Sequence, residues 1–136
     1  MNYTIPEIIR NLMETKDNLQ LFHWNTKSYA KHIATDGLIV ALAKNIDQFV
    51  EVYLGVNPEL NINFSDIKIK LYTDKQLIST LYDVLKMLES ISEGTFTIKS
   101  SLRGKGYTVK ITSDIINIRD EIMANIHKTL YLLTLS

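Results

Sequence analysis

The sequence has 136 residues, 46% of them hydrophobic and 22% charged, with no cysteine and with fifteen basic side chains against fifteen acidic ones. That length suits one domain, 1–136, and the chain carries too much Ile and Leu for its charge to be disordered as a whole. A disulfide framework and thiolate chemistry are excluded, so any metal must be held by His, Asp or Glu, and the zero net charge exerts no long-range pull on nucleic acid or anionic lipid.

The first six residues, Met1 to Pro6, have neither the basic start nor the apolar stretch of a signal peptide. No apolar run reaches the roughly 18 residues of a membrane span, so a soluble, cytoplasmic protein is expected. Thr4-Ile5-Pro6-Glu7 has capping-box spacing and tolerates Pro in the first turn. From there Ile8, Leu12, Thr15, Leu19 and Phe22 recur at helical spacing as far as Trp24. A short polar stretch, Asn25 to Tyr29, leads to a second helix from about Lys31 to Leu54, with Gly55 as its expected C-terminal cap and Pro58 just beyond. A third helix is predicted from the capping box Thr73-Asp74-Lys75-Gln76 to Glu93, closed by Gly94. The fourth starts near Ser113 and carries Ile115, Ile118, Ile122, Ile126, Leu130 and Leu133 toward the end.

Helices of about 20 residues are about 30 Å long, and equal lengths suit an up-and-down bundle. The connection Val56 to Tyr72 is long enough to run the length of that bundle, which would set the second and third helices parallel. The predicted class is therefore all-α, a ferritin-like four-helix bundle with a long crossover between helices 2 and 3. Alternation of Leu60, Ile62 and Phe64, then Ile67, Ile69 and Leu71, predicts extended structure within the crossover. Thr95 to Ile111 reads as a small β-hairpin between helices 3 and 4, its loose tip at residues 100–106. Tyr29, Tyr72 and Tyr107 lie near segment ends and are expected to anchor them.

Chemistry concentrates on the second helix. His32 and Asp36 share a face, Asp47 lies about 20° round from Asp36, and Glu51 is one turn further. The first helix contributes His23 at its end. Imidazoles with carboxylates are the donors that suit iron or manganese. Asp36 and Asp47 are about 16 Å apart along the helix, against metal–ligand bonds of about 2 Å, so one chain cannot wrap one ion with both. A second copy packed antiparallel about a two-fold axis would bring Asp47 and Glu51 opposite His32 and Asp36. The spacing therefore predicts an interfacial metal site, two per dimer.

The run Leu21-Phe22-His23-Trp24-Asn25, followed by His32-x3-Asp36-x10-Asp47-x3-Glu51, resembles the Dps branch of the ferritin-like superfamily, the starvation-induced mini-ferritins. The likeness covers about residues 5 to 55, with a shorter His23–His32 interval than is usual for that family. It implies that His23, His32 and Asp36 of one chain, with Asp47 and Glu51 of its partner, bind iron and oxidise Fe(II) with peroxide or oxygen, for storage or protection. It also implies a homo-oligomer, a two-fold dimer at least and up to a twelve-subunit shell. The closing stretch, Asn117 to Ile122 and Leu130 to Leu133, is similar to uncharacterised ferritin-like proteins of phages and large DNA viruses. The alternative function is accordingly a non-catalytic ferritin-like structural or assembly protein, virion-associated.

Each residue also has an ordinary reading. His23 beside Trp24 could be a helix-end histidine satisfied by a backbone carbonyl, and His32 with Asp36 a solvated i,i+4 pair. Against a wet face for Asp47 and Glu51 stands the surrounding apolar sequence: Leu38, Leu42, Phe49 and Val52 flank one side, Ile39, Ile46, Val50 and Tyr53 the other. A helix buried on both flanks predicts acids that need partners. Asp120, Glu121 and His127 lack the Glu-x-x-His spacing of a bundle-core di-iron site and read as surface or interface. Lys99, Arg103, Lys105 and Lys110 could grip phosphate but read as a solvated loop, and nucleic-acid binding is not expected.

Overall fold

Helical periodicity and capping residues select the elements, and the computed structural model, which describes residues 2–99 and 106–136, places them in order. Among the described residues there are four helices, α1 (Ile5–Asn25), α2 (Tyr29–Val56), α3 (Asp74–Glu89) and α4 (Ser113–Leu133), and a hairpin of β1 (Gly94–Lys99) and β2 (Gly106–Ile111). Both predicted capping boxes form. The Thr4 hydroxyl accepts from Glu7 N–H while the Glu7 carboxylate accepts from Thr4 N–H, and Thr73 and Gln76 repeat the exchange. At the start of α4 the cap hydroxyl turns elsewhere: Thr112 donates to Asp114, and chiefly this bond holds the Asp114 carboxyl below its ordinary range.

Two boundaries differ from expectation. Gly55 does not end α2, which continues through it to Asn57. The Asn57 amide donates to the carbonyls of Tyr53 and Lys110, and its oxygen accepts from Lys110 N–H, so a side chain rather than a glycine ends the helix and ties it to β2. Helix α3 stops at Glu89, earlier than predicted, because Ser90 and Ile91 N–H groups tighten onto the carbonyls of Met87 and Leu88. Gly94, at φ 144°, opens β1 opposite Ile111 instead of capping the helix.

The crossover fixes the topology. Its start shares a cavity with Pro6 and Tyr53. Further along, Lys68 N–H donates to Glu14, and buried Asn18 donates to the Lys68 carbonyl and the Tyr72 hydroxyl while accepting from Lys70 N–H. Residues 57–73 thus run the length of α1, and the Lys31–Asp74 ion pair at 2.7 Å sets the start of α3 beside the start of α2. Helices α2 and α3 are parallel, as the long connection predicts.

No strand forms in the crossover, although Leu60, Ile62 and Phe64 turn half-buried toward the core and Asn61, Asn63 and Ser65 face out. Asp66, at φ 59°, breaks that alternation, and Ile69 and Leu71 emerge exposed. The hairpin pairs Gly94 with Ile111 through Lys99 with Gly106, as predicted; its tip, with Arg103 and Lys105, lies outside the described residues.

The core is the aliphatic stripe of each helix, with Leu12, Leu19, Leu42, Phe49, Leu81, Leu88, Ile122 and Ile126 all buried. Helix α2 packs on α1 and α4. Buried polar side chains find partners, as where the Asn125 amide donates to Asn45 at 2.9 Å. Burial, with the neighbouring Tyr107, pushes the Tyr53 hydroxyl up to about 12. No helix among the described residues is long and apolar enough to cross a membrane.

Candidate metal centre

The turn between α1 and α2 is short because Asn25 ends one helix and Ser28, accepting from Lys31 N–H, caps the next. This tight reversal places His23 against His32. The His23 Nδ1–H donates to the carbonyl of His32 at 2.8 Å, and the His32 Nδ1–H donates to the carbonyl of His23, also at 2.8 Å. A carbonyl can only accept, so both Nδ1 atoms must carry the proton. The rings stack with centroids 3.8 Å apart and planes 16° from parallel, and Thr35 Oγ1 lies 3.3 Å from His23 Nδ1.

The chemical consequence is at the other ring nitrogen. With the proton of each ring's Nδ1 committed to a carbonyl, Nε2 is the nitrogen whose lone pair a metal could take, and hydrogen bonding through the remote nitrogen is the way metal-binding histidines are oriented. Imidazole lone pairs lie in the ring plane. Two nearly parallel planes at this separation cannot converge on one ion at a bond length of about 2 Å. The pair would serve two ions, one for each ring. Asp36, on the exposed side of the pair, sets Oδ1 4.0 Å from His23 Nε2.

Asp47 and Glu51 lie further along α2, on the same outward side as Asp36, and all three are exposed. Here the expectation of a helix buried on both flanks is corrected. Leu38, Leu42, Ile46, Phe49 and Tyr53 are buried, but Ile39, Val50 and Val52 are only half covered, and Ile33 and Val40 are 50% and 64% exposed. Neighbours α1 and α4 cover one side of the helix and leave the acids in solvent. His23, His32 and Asp36 are brought together; Asp47 and Glu51 are not joined to them within one chain. Among the described residues no three potential ligands cluster closely enough to hold an ion.

The remaining candidates behave as surface groups. Asp120, Glu121 and His127 are exposed on α4, Asp120 paired with Arg119 at 2.8 Å. Lys99 and Lys110 sit on the hairpin strands. Tyr72 does anchor its segment through Asn18, whereas Tyr29 is 79% exposed. Sequence reasoning missed Thr35, whose β-branched side chain is fully buried under the imidazole pair, and the reciprocity of the two carbonyl bonds. The only signal for either was the shortened interval between the histidines.

Fold and site together define a four-helix bundle with one long crossover, a hairpin between its last two helices and a locked imidazole pair at its first turn. A family model described as a family of unknown function (DUF5856) matches residues 23–133, and the chain belongs to that family. The matched region contains all five candidate residues. No curated protein and no solved structure matches the chain.

Proposed function

We propose that this is a ferritin-like, Dps-type protein that binds Fe(II) as substrate between two antiparallel copies of α2 and oxidises it. The locked imidazole pair carries this reading: with each Nδ1 proton committed to a carbonyl, Nε2 is the ring nitrogen left for a metal, that of His23 lies 4.0 Å from the Asp36 carboxylate, and the set is incomplete in one chain. His32 and Glu51, Asp36 and Asp47, and Val40 and Ala43 are each symmetric about the point between Ala41 and Leu42. A two-fold axis there sets Asp47 and Glu51 of one copy against Asp36 and His32 of the other. Facing carboxylates repel unless a cation lies between them, so that arrangement calls for metal. Two Fe(II) ions would give two electrons to peroxide, which takes two protons and leaves as two waters. The carboxylates favour the harder Fe(III) product, and the imidazoles hold position.

The test is the iron-dependent absorbance after Fe(II) and peroxide are mixed with the parent chain and with Asp47→Ala/Glu51→Ala. The variant is expected to fall to the rate of iron without protein, while equal rates would remove the reading. A second reading also has an observation behind it. The same two carbonyl bonds fasten α1 to α2 without any metal, as a non-catalytic structural or assembly protein of ferritin-like fold would require. On that reading the purified protein carries no iron, and both chains leave the rate of the free metal unchanged.

A further inference from the structure

The α1–α2 turn, the last residues of the crossover, the start of α3 and the end of α4 meet at one end of the bundle. A hollow lined by Lys27, Lys31, Leu71 and Asp74 joins the turn to the crossover, and a second, lined by Lys31, Asp74, Lys75 and Leu133, joins them to α4. With histidine neutral, the charged side chains of residues 24–32, 67–76 and 127–136, which form this end, are six lysines and Asp74. Lys31 already pairs with Asp74 at 2.7 Å, which leaves Lys27, Lys68, Lys70, Lys75 and Lys128, all exposed. A chain of zero net charge is therefore locally basic here. Large apolar groups stand among the lysines. Trp24 is 67% exposed at the end of α1, Ile69 58% and Leu71 51% on the crossover, and exposed Tyr29 opens α2 just past the turn. The backbone at Lys68 and Lys70 is fastened to Glu14 and Asn18, so the exposure of Ile69 and Leu71 is built into the strap.

From this combination we infer that the turn end of the bundle docks on an anionic lipid surface. Exposed apolar groups gathered at one place mark a contact surface, and the charge around these selects the partner. Trp and Tyr rings settle at the level of the headgroups, while Ile and Leu side chains enter the acyl boundary beneath. Lysine stems lie along apolar surface and carry their ammonium groups back to the phosphates and carboxylates of the lipids. A cluster of lysines beside a shallow apolar insertion is the pairing of forces that holds a protein on such a surface without a spanning helix. Nucleic acid would meet the same charge. Its phosphates and bases favour arginine, however, which these three stretches lack, and Ile69 and Leu71 would gain nothing from a phosphate backbone. The surface uses none of the five candidate metal ligands and does not depend on the metal reading.

Trp24 is the one tryptophan of the chain, so its emission reports docking directly. Vesicles of phosphatidylcholine with about one-third phosphatidylserine are expected to shift that emission to the blue and to carry the protein upward on flotation. Vesicles of phosphatidylcholine alone are expected to do neither. Lys68→Gln/Lys70→Gln and Ile69→Ser/Leu71→Ser should each weaken binding on the order of tenfold, the first by removing charge and the second by removing insertion. All four side chains are exposed, so the thermal melts should match the parent's. No shift with the anionic vesicles overturns the inference, as does equal binding to both kinds of vesicle or binding indifferent to both double substitutions. Capture of a DNA duplex or of poly-L-glutamate, under conditions where the anionic vesicles float free of protein, overturns it too.

Discussion

The imidazole pair is built so that each ring is held by the other residue's backbone, not by its side chain. Replacing one ring therefore leaves the other's anchor in place. His32→Ala should keep the His23 Nδ1 proton in its bond to the carbonyl of residue 32, and the fold should lose only about 1 kcal/mol. A downfield, slowly exchanging His23 ring proton in the NMR spectrum of the variant checks this, together with its thermal melt. Tyr53 makes a second prediction. Its folded value of about 12 exceeds the ordinary 10.0, so its contribution is complete below pH 10 and is lost as pH rises to 12, because the unfolded chain ionises first. In denaturant titrations the parent should lose more stability than Tyr53→Phe across that interval, and parallel losses would contradict the cause assigned.

Among the elements, the crossover is the one whose course depends on side chains. Its backbone has no strand partner, and Asn18 stands in for one with three hydrogen bonds to Lys68, Lys70 and Tyr72. Asn18 is 2% exposed, so its bonds form out of competition with water. Asn18→Ala should destabilise the fold by about 2–4 kcal/mol and speed amide exchange at residues 67–72 more than in α1 itself. Uniform acceleration would mean that Asn18 supports the core and not the strap. Leu60, Ile62 and Phe64 hold the first half of the segment by burial, and Asp66 is where that mode gives way to the second. The alternation was legible in the sequence, but it does not distinguish a strand from an extended strap, because both bury every second side chain.

For the whole molecule, the proposed assembly is a statement about symmetry, and the cysteine-free chain allows a clean test of it. Val40 and Ala43 are both exposed on α2 and straddle the proposed axis. The double variant Val40→Cys/Ala43→Cys should crosslink on mild oxidation into a covalent dimer, since antiparallel helices at contact distance bring such residues within disulfide reach. Added Fe(II) analogues that resist oxidation, Mn(II) for instance, should raise the yield. Sedimentation of the parent chain as a monomer with and without metal, and no crosslink, would exclude this dimer.

The sequence by itself determined where helices begin, which face of α1, α3 and α4 is buried, that a hairpin separates the last two, and which residue types carry the chemistry. Those are local matters of capping, period and side-chain identity, settled within a few residues of each position. Only the tertiary structure decided that α2 passes through Gly55 to an Asn57 clamp, that the crossover stays unpaired, and that His23 and His32 fix each other's tautomers. It also decided that the acids of α2 face solvent. Each of these depends on which distant backbone group lies opposite a side chain, and linear spacing carries that only where two elements are tied by a short turn.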